Sequence, residues 1–219
     1  MDLGYALPLL LLAVVPLALV LVTSFLKFSI VLAFLRQALG SPDVPPSIVL
    51  LAVAVLLSGF VMAPTGMEMA RAAQPLLDRS ADEAAPEQMT LSGLVDAGGP
   101  VVAPLRAFLS KHAGPSERAV FVELARTLYP SKDAALAQDG APLILVSAFV
   151  LTELKEAFLI GFVVFVPFLV VELVVANILL SLNMHMLNPT SVSLPFKLLL
   201  FVLVDGWTLL VQGLILGYG

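Results

Sequence analysis

Six charged side chains lie inside stretches of the chain that are otherwise apolar enough to cross a membrane. They are Glu153, Lys155, Glu156, Glu172, Lys197 and Asp205. An ionisable group at such depth costs several kcal/mol, so it normally faces protein or water and marks a functional position. Lys197 and Asp205 are eight residues apart, about 12 Å along a helix, which is too far for them to pair with each other. Each therefore needs a partner on another helix or another chain.

Three interpretations of these charges remain open. We expect a ladder of salt bridges within and between neighbouring subunits, which would fix helix register because removing one partner of a buried pair is costly. The second interpretation is a proton relay of the kind that transporters use. The third is that long charged side chains near helix ends extend towards the membrane surface.

The composition places the chain among membrane proteins. It is 60% apolar and 12% charged, with a mean hydropathy of +1.04. A soluble domain has about 25% charged residues. The chain has no cysteine, no basic stripe typical of nucleic-acid binding, no phosphate-binding glycine loop and no His-Glu-x-x-His sequence. We therefore expect no enzymatic activity, no cofactor, no metal and no nucleic-acid partner.

Apolar and polar stretches alternate along the chain in a pattern that predicts an all-α membrane protein. Four apolar helical segments, some of them kinked, would form two hairpins, and a small helical segment would lie between the second and the third. The polar stretch contains two amphipathic patterns separated at Gly114-Pro115. The predicted parts are a first hairpin at 1–63, a polar extracytoplasmic segment at 64–142, and a second, kinked hairpin at 143–219.

Two of the apolar runs depart from a simple span. The run at 48–63 has 16 residues, about 24 Å of helix, which is short of a 30 Å bilayer core. The run at 143–182 is too long for one span, so we predict a kinked or two-part helix with bends at Gly161 and Pro167. The first run lacks a basic flank typical of a secretory signal, and we expect it to be retained.

The distribution of Lys and Arg in the short segments that connect the apolar runs predicts how the chain is oriented in the membrane. The connection at 27–47 carries Lys27 and Arg36 against Asp43, whereas the connection at 183–191 has no Lys or Arg. The positive-inside rule then places the first connection in the cytoplasm and the polar segment outside. This predicts a multi-pass membrane protein with a substantial portion outside the cytoplasm, which is the periplasm if the cell is Gram-negative.

Read together, the apolar segments resemble the SctR/FliP family, the R/P subunits of the type III secretion and flagellar export apparatus. The resemblance covers nearly the whole chain except residues 65–142. It is carried by the following stretches: Leu35-Arg36-Gln37-Ala38-Leu39-Gly40, Pro45-Pro46, Phe60-Val61-Met62-Ala63-Pro64, Glu153-Leu154-Lys155, Ile160-Gly161-Phe162, Asn188-Pro189, Ser193-Leu194-Pro195-Phe196-Lys197 and Asp205-Gly206-Trp207.

The resemblance implies a structural, pore-forming core subunit of the export gate rather than an enzyme. Family members assemble as about five copies with S/Q-type and T/R-type subunits into a helical cone, which the U/FlhB-type subunit and the basal-body ring then join. Unfolded secreted proteins pass through this cone across the inner membrane. The resemblance therefore implies the bacterial inner membrane as the location. The missing signal favours the type III secretion branch, and hence a role in virulence, over the flagellar one.

The resemblance also assigns a role to the loop near 182–191. Met184, His185, Met186 and Leu187 match the family's methionine-rich loop, which forms a gasket that closes the resting pore. Methionine is flexible and polarisable, so a ring of such side chains can seal and repack around irregular substrates. The plainer interpretation is that these residues are apolar filling in a turn. His185 stands where many relatives have another Met; we interpret it as a tolerated polar substitution, and the alternative is that it makes the seal wetter or sensitive to pH.

Two glycines and one alternative function complete the predictions. Gly161 and Gly206 are expected to allow close helix approach, as small residues do in membrane helices. The alternative function is a secondary transporter subunit that uses the buried charges as a proton relay. Internal repeats would support that alternative, and no clear repeat is present.

Overall fold

The computed structural model describes residues 19–41, 45–82, 91–129 and 137–219, and in these ranges the chain forms helices and no strand. The predicted all-α fold is therefore confirmed. The predicted first apolar run lies mostly outside the described residues. The helices are α1 (Phe25–Leu39), α2 (Ser47–Asp82), α3 (Leu91–His112), α4 (Pro115–Leu128), α5 (Pro142–Ser181), α6 (Pro189–Leu203) and α7 (Gly206–Leu216).

The chain divides into two compact units, and two of the three boundaries between them fall inside the long helices α2 and α5. One unit comprises residues 1–23 and 62–152, and the other comprises residues 24–61 and 153–219. The three-part division predicted in chain order from the sequence stays a prediction.

In the first unit, the polar part of the chain folds as a helical hairpin against the start of α5. Helix α3 ends at His112 and α4 begins at Pro115, which confirms the two helices predicted on either side of Gly114-Pro115. Leu109, Leu145 and Phe149 form a buried cluster between the hairpin and α5. The Gly114 N–H donates to Thr152 Oγ1 at 2.8 Å, so a side chain of α5 fixes the turn of the hairpin.

In the second unit, α1 is the most deeply buried helix. Phe28, Val31, Leu32 and Leu35 are fully buried, a spacing that places them on one face of the helix. The helix ends at Gly40, which adopts the left-handed conformation (φ 77°) and donates its N–H to the Gln37 carbonyl. This is the cap that a glycine provides without a Cβ penalty.

Helix α2 corrects the prediction of a short second span. It runs for 36 residues, through Pro64 and Pro75, and its part Ser47–Pro75 is long and apolar enough to cross a membrane. Beyond Ala63 the helix passes through Pro64 and Gly66, which are poor helix formers, before it reaches Met67 and Glu68. The apolar pattern marked only the most hydrophobic part of this helix.

Helix α5 is continuous over 40 residues, about 60 Å, and it also qualifies as a membrane span. Gly161 and Pro167 lie inside it rather than between two helices. Of the two predicted alternatives, the two-part helix is therefore wrong, and a kink at Gly161 or Pro167 stays a prediction. Pro167 can be tolerated within a membrane helix because neighbouring groups satisfy the freed carbonyl.

The fourth apolar run is two helices, not one. Helices α6 and α7 meet at an angle of 62° around Asp205, which has left-handed backbone angles (φ 51°, ψ 49°). Among the described residues there are two candidate spans, or three if this bent pair crosses as one.

Gly161 lies where α5 approaches α1. A Cβ built on Gly161 would come within 2.5 Å of Phe34 Cδ2 and 3.1 Å of Phe34 Cβ, and the Phe34 ring packs edge-on against Phe158. We therefore expect Gly161→Ala to lower the free energy of unfolding by about 1–3 kcal/mol, the usual cost of overpacking. Thermal unfolding in detergent measures the change.

The matched control is Gly59→Ala, because a Cβ at Gly59 meets no atom within 4 Å. The control should be neutral or slightly stabilising, since alanine is the better helix former. Phe34→Ala removes the Cγ and Cδ2 atoms that meet the new Cβ, so the double variant with Gly161→Ala should lose less stability than the sum of the two single losses. Equal stability of Gly161→Ala and Gly59→Ala would show that this close approach is not needed.

Candidate functional site

The first group of charges joins α1 to α5. Lys27 Nζ lies 3.1 Å from Glu153 Oε1 and 2.7 Å from Glu156 Oε2. The two glutamates are three residues apart and thus share one face of α5. Lys27 and Glu153 are 2% and 1% exposed, whereas Glu156 is 47% exposed. One buried ammonium is therefore shared between a buried carboxylate and one that water can reach.

Tyr218 covers this group from the other side. Its hydroxyl donates to Glu153 Oε2, its ring centroid lies 4.1 Å from Lys27 Nζ, and the ring packs edge-on against Phe28. Burial raises the pKa of the Tyr218 phenol far above its usual range, and the negative charge of Glu153 raises it further. The phenol therefore stays protonated and acts as a hydrogen-bond donor.

The second group of charges joins α5 to α6. Lys197 Nζ lies 2.5 Å from Glu172 Oε2, and the Thr190 hydroxyl donates to Glu172 Oε1 at 2.6 Å. Lys197 is buried, while Glu172 is 30% exposed. The ammonium has thus been desolvated more completely than its carboxylate partner.

The structure leaves the other two predicted charges outside these groups. Lys155 lies on the exposed side of α5. Asp205 is exposed at the break between α6 and α7, and its side chain makes no capping hydrogen bond and no ion pair with any described residue. Four of the six charges singled out in the sequence belong to the two groups of ion pairs: Glu153, Glu156, Glu172 and Lys197. Pairing between subunits stays a prediction.

The sequence interpretation missed three residues of these groups, namely Lys27, Tyr218 and Thr190. Lys27 was assigned to a connecting loop, but α1 covers most of that stretch and Lys27 is buried in it. It is therefore wrong to count Lys27 as a loop charge, and the orientation argument loses one of its two cations. The apolar neighbours on both sides of Lys27, Phe25-Leu26 and Phe28, were the available signal.

The loop between α5 and α6 is held at both ends. Asn183 has left-handed backbone angles (φ 57°), and the Met184 N–H reaches back to the Leu179 carbonyl at 2.9 Å. This is the hydrogen bond of a Schellman helix end. At the other end, Asn188 accepts from the Thr190 N–H at 3.0 Å and Pro189 occupies the first helical turn.

The tip of this loop projects apolar side chains into open space. Met186 is 98% exposed, and Met184, Leu187 and His185 are also exposed. A short turn that is capped at both ends presents these side chains from a defined position. Exposed apolar groups of this kind normally mark a contact surface.

Nothing in the described part of the chain has the arrangement of a metal centre. No group of three His, Cys, Asp or Glu side chains comes together there. The buried charges instead have the geometry of paired ions that connect helices. The fold and site define a helical membrane protein whose apolar helices are joined by buried ion pairs.

Comparison with known proteins identifies the family. The model of the FliP family matches residues 8–214, nearly the full length of the chain. The chain is 42% identical over 206 residues to the hypersensitivity response secretion protein HrcR of Ralstonia nicotianae, covering 94% of this chain and 92% of that protein. This protein belongs to the FliP family.

Relatives occur in both secretion and flagellar systems. The chain is 42% identical over 210 residues to the Yop proteins translocation protein R of Yersinia pestis, which covers 95% of this chain and 93% of that protein. It is 41% identical over 208 residues to the flagellar biosynthetic protein FliP of Bacillus subtilis, covering 93% and 86% of the two chains.

Proposed function

We propose that this protein is a pore-forming structural subunit of a type III protein export gate in the bacterial inner membrane, and that it is not an enzyme. Membership of the FliP family and the names of its secretion and translocation relatives support a place in such an apparatus. The observation that carries the pore role is the loop tip with its almost fully exposed Met186.

Several copies of the chain would form the pore. The outer face of α5 exposes Phe158, Leu159 and Phe162, each more than half accessible. Apolar area on this scale needs either lipid or other helices to cover it. We propose that about five copies associate through such faces with S/Q-type and T/R-type subunits, and that the U/FlhB-type subunit and the basal-body ring surround this core. The polar segment at 64–142 would face the periplasm.

In this assembly the Met184-His185-Met186-Leu187 tips of neighbouring copies would converge on the pore axis. Each tip is anchored by its helix caps, so its position is fixed while the methionine side chains remain flexible. Such a constriction excludes water and small ions at rest. It would also repack around an unfolded chain in transit.

Native mass spectrometry of the chain expressed with and without S-type and T-type subunits tests the assembly. We expect a species of about five copies that incorporates the partners. A stable monomer or dimer that ignores the partners would refute the export-gate proposal and favour the transporter alternative.

If the loop tips close the pore, shortening their side chains should let small solutes leak through the membrane. We expect the double variant Met184→Ala/Met186→Ala to assemble normally but to admit small solutes, because shortening both side chains opens an apolar constriction. Growth of cells on a toxic small solute, or ion flux into liposomes that contain the assembly, measures the leak.

The control for the leak is Met67→Ala, which truncates an exposed methionine on α2. It should leave the membrane tight. Replacement of both loop methionines by leucine should retain most of the seal, since volume and apolarity are kept. A tight membrane in the double alanine variant would contradict the gating role of these residues.

A further inference from the structure

A cavity of about 340 Å³ opens at the bend between α6 and α7, against α5. Its floor is formed by buried side chains, among them Phe168, Phe201, Leu210 and Leu214. Its rim includes the exposed residues Val204 and Leu209. A sealed apolar cavity of about 150 Å³ already takes up benzene, so this volume is sufficient for a longer hydrocarbon segment.

Two features keep the cavity open. Helices α6 and α7 diverge by 62° instead of continuing as one helix, and Gly213 contributes no side chain to the wall. A Cβ at Gly213 would meet no atom within 4 Å. The wall is almost entirely apolar, so it offers nothing to orient a polar solute, and all three helices that form it belong to segments apolar enough for a membrane.

Asp205 supplies the only charge at the bend itself. It lies between Val204 and Gly206, both of which line the cavity. Its carboxylate is exposed and has no ion-pair partner among the described residues. A carboxylate next to an apolar cavity complements a molecule that has a hydrocarbon chain and a positively charged head.

We propose that the cavity binds one acyl chain of a zwitterionic membrane phospholipid, whose ammonium head contacts Asp205. The bound lipid fills the space left by the bend and neutralises the unpaired carboxylate. This site is separate from the loop at 182–191 and from both groups of ion pairs. It goes beyond the proposed export function.

The single tryptophan of the chain provides a probe for this site. The Trp207 ring packs edge-on against Phe201, with 5.4 Å between ring centroids, and Phe201 lines the cavity. A brominated acyl chain in the cavity therefore lies close enough to quench Trp207. Titration of the full chain in detergent with dibrominated phosphatidylethanolamine should give quenching that saturates.

The matched variants are Gly213→Leu, which fills the cavity, and Gly59→Leu, which makes the same change at an open helical position outside it. Gly213→Leu should lose the saturating component, Gly213→Ala should weaken it, and Gly59→Leu should keep it. Circular dichroism checks that all variants retain their helicity, and the alanine variant serves if the leucine variant does not fold.

The head group is tested separately. Dibrominated phosphatidylglycerol, which lacks the ammonium, should bind more weakly, and Asp205→Asn should abolish the difference between the two lipids. Equal binding of both lipids by the unchanged protein would overturn the contact with Asp205. Quenching that never saturates and is the same in all glycine variants would overturn the site. A third outcome would assign the cavity to a second copy of the chain and overturn the lipid proposal. In that outcome the unchanged protein shows no saturating quenching, and Gly213→Leu changes the number of copies in the assembly.

Discussion

Replacing Lys27 by methionine is expected to lower the free energy of unfolding by about 3–5 kcal/mol, the range for removing one partner of a buried ion pair. The reason is that Glu153 would remain almost completely buried without a cation. The Tyr218 hydroxyl would still donate to it, but a neutral donor does not replace an ammonium. Thermal or denaturant unfolding of the purified chain in detergent measures the loss.

Two further variants separate charge from packing in this experiment. Lys111→Met makes the same chemical change at an exposed position of α3 and should shift stability by less than about 0.5 kcal/mol, as surface substitutions usually do. Lys27→Met combined with Glu153→Gln removes the stranded charge and should recover much of the loss. If the double variant is as unstable as Lys27→Met alone, the stranded carboxylate is not the cause.

The second large effect is an asymmetry between the two partners of the α5–α6 ion pair. Glu172→Leu should cost about 3–5 kcal/mol because it strands the buried ammonium of Lys197. Lys197→Met should cost less, since the carboxylate left behind is 30% exposed and keeps its hydrogen bond from Thr190. The same unfolding measurement compares the two variants.

The expected difference between the two variants arises because Lys197 is more completely desolvated than Glu172. It does not depend on the interaction energy of the ion pair, which both variants remove. Glu172→Gln is the matched control, because the amide oxygen can still accept a hydrogen bond from Lys197 while the charge is gone. The free energy of unfolding of Glu172→Gln should lie between that of Glu172→Leu and that of the unchanged protein. Equal losses for Glu172→Leu and Lys197→Met would show that the burial of Lys197 does not decide the energetics.

These two ion-pair groups suggest what the charges contribute to an export subunit. A buried ion pair adds little net stability over an apolar pair of similar volume, but it strongly disfavours any arrangement that separates the partners. Lys27 and Glu153 fix α1 against α5, and Lys197 and Glu172 fix α6 against α5. We propose that this fixed register holds the loop tip between α5 and α6 in place for the pore.

Much of the fold could be predicted from the sequence because membrane helices follow from hydropathy and length. The helical hairpin split at Gly114-Pro115 was predicted because proline and glycine interrupt helices in a local way. The end of α1 at Gly40 also depends on a single residue type at one position in the chain. The loop at Asn183 and Asn188 also has its capping residues in the sequence, although their hydrogen bonds became evident only in the structure.

Other features could not be predicted because they depend on distant residues. Helix α2 extends past Ala63, where the local pattern favoured an end, and α5 continues through Gly161 and Pro167 as one helix instead of two. Neighbouring groups in the fold can satisfy a carbonyl that proline leaves without a partner, and no local pattern shows whether they do.

By itself, the sequence determined the class of this protein: an apolar, cysteine-free helical membrane chain whose buried charges need partners and whose motifs resemble one export family. Only the tertiary structure decided which partners those are. Lys27 looked like a loop cation until α1 was placed against α5, and Tyr218, 65 residues from Glu153, completes the same group. The physical reason is that hydropathy and helix capping are properties of neighbouring residues, whereas desolvation and ion pairing depend on which distant helices meet.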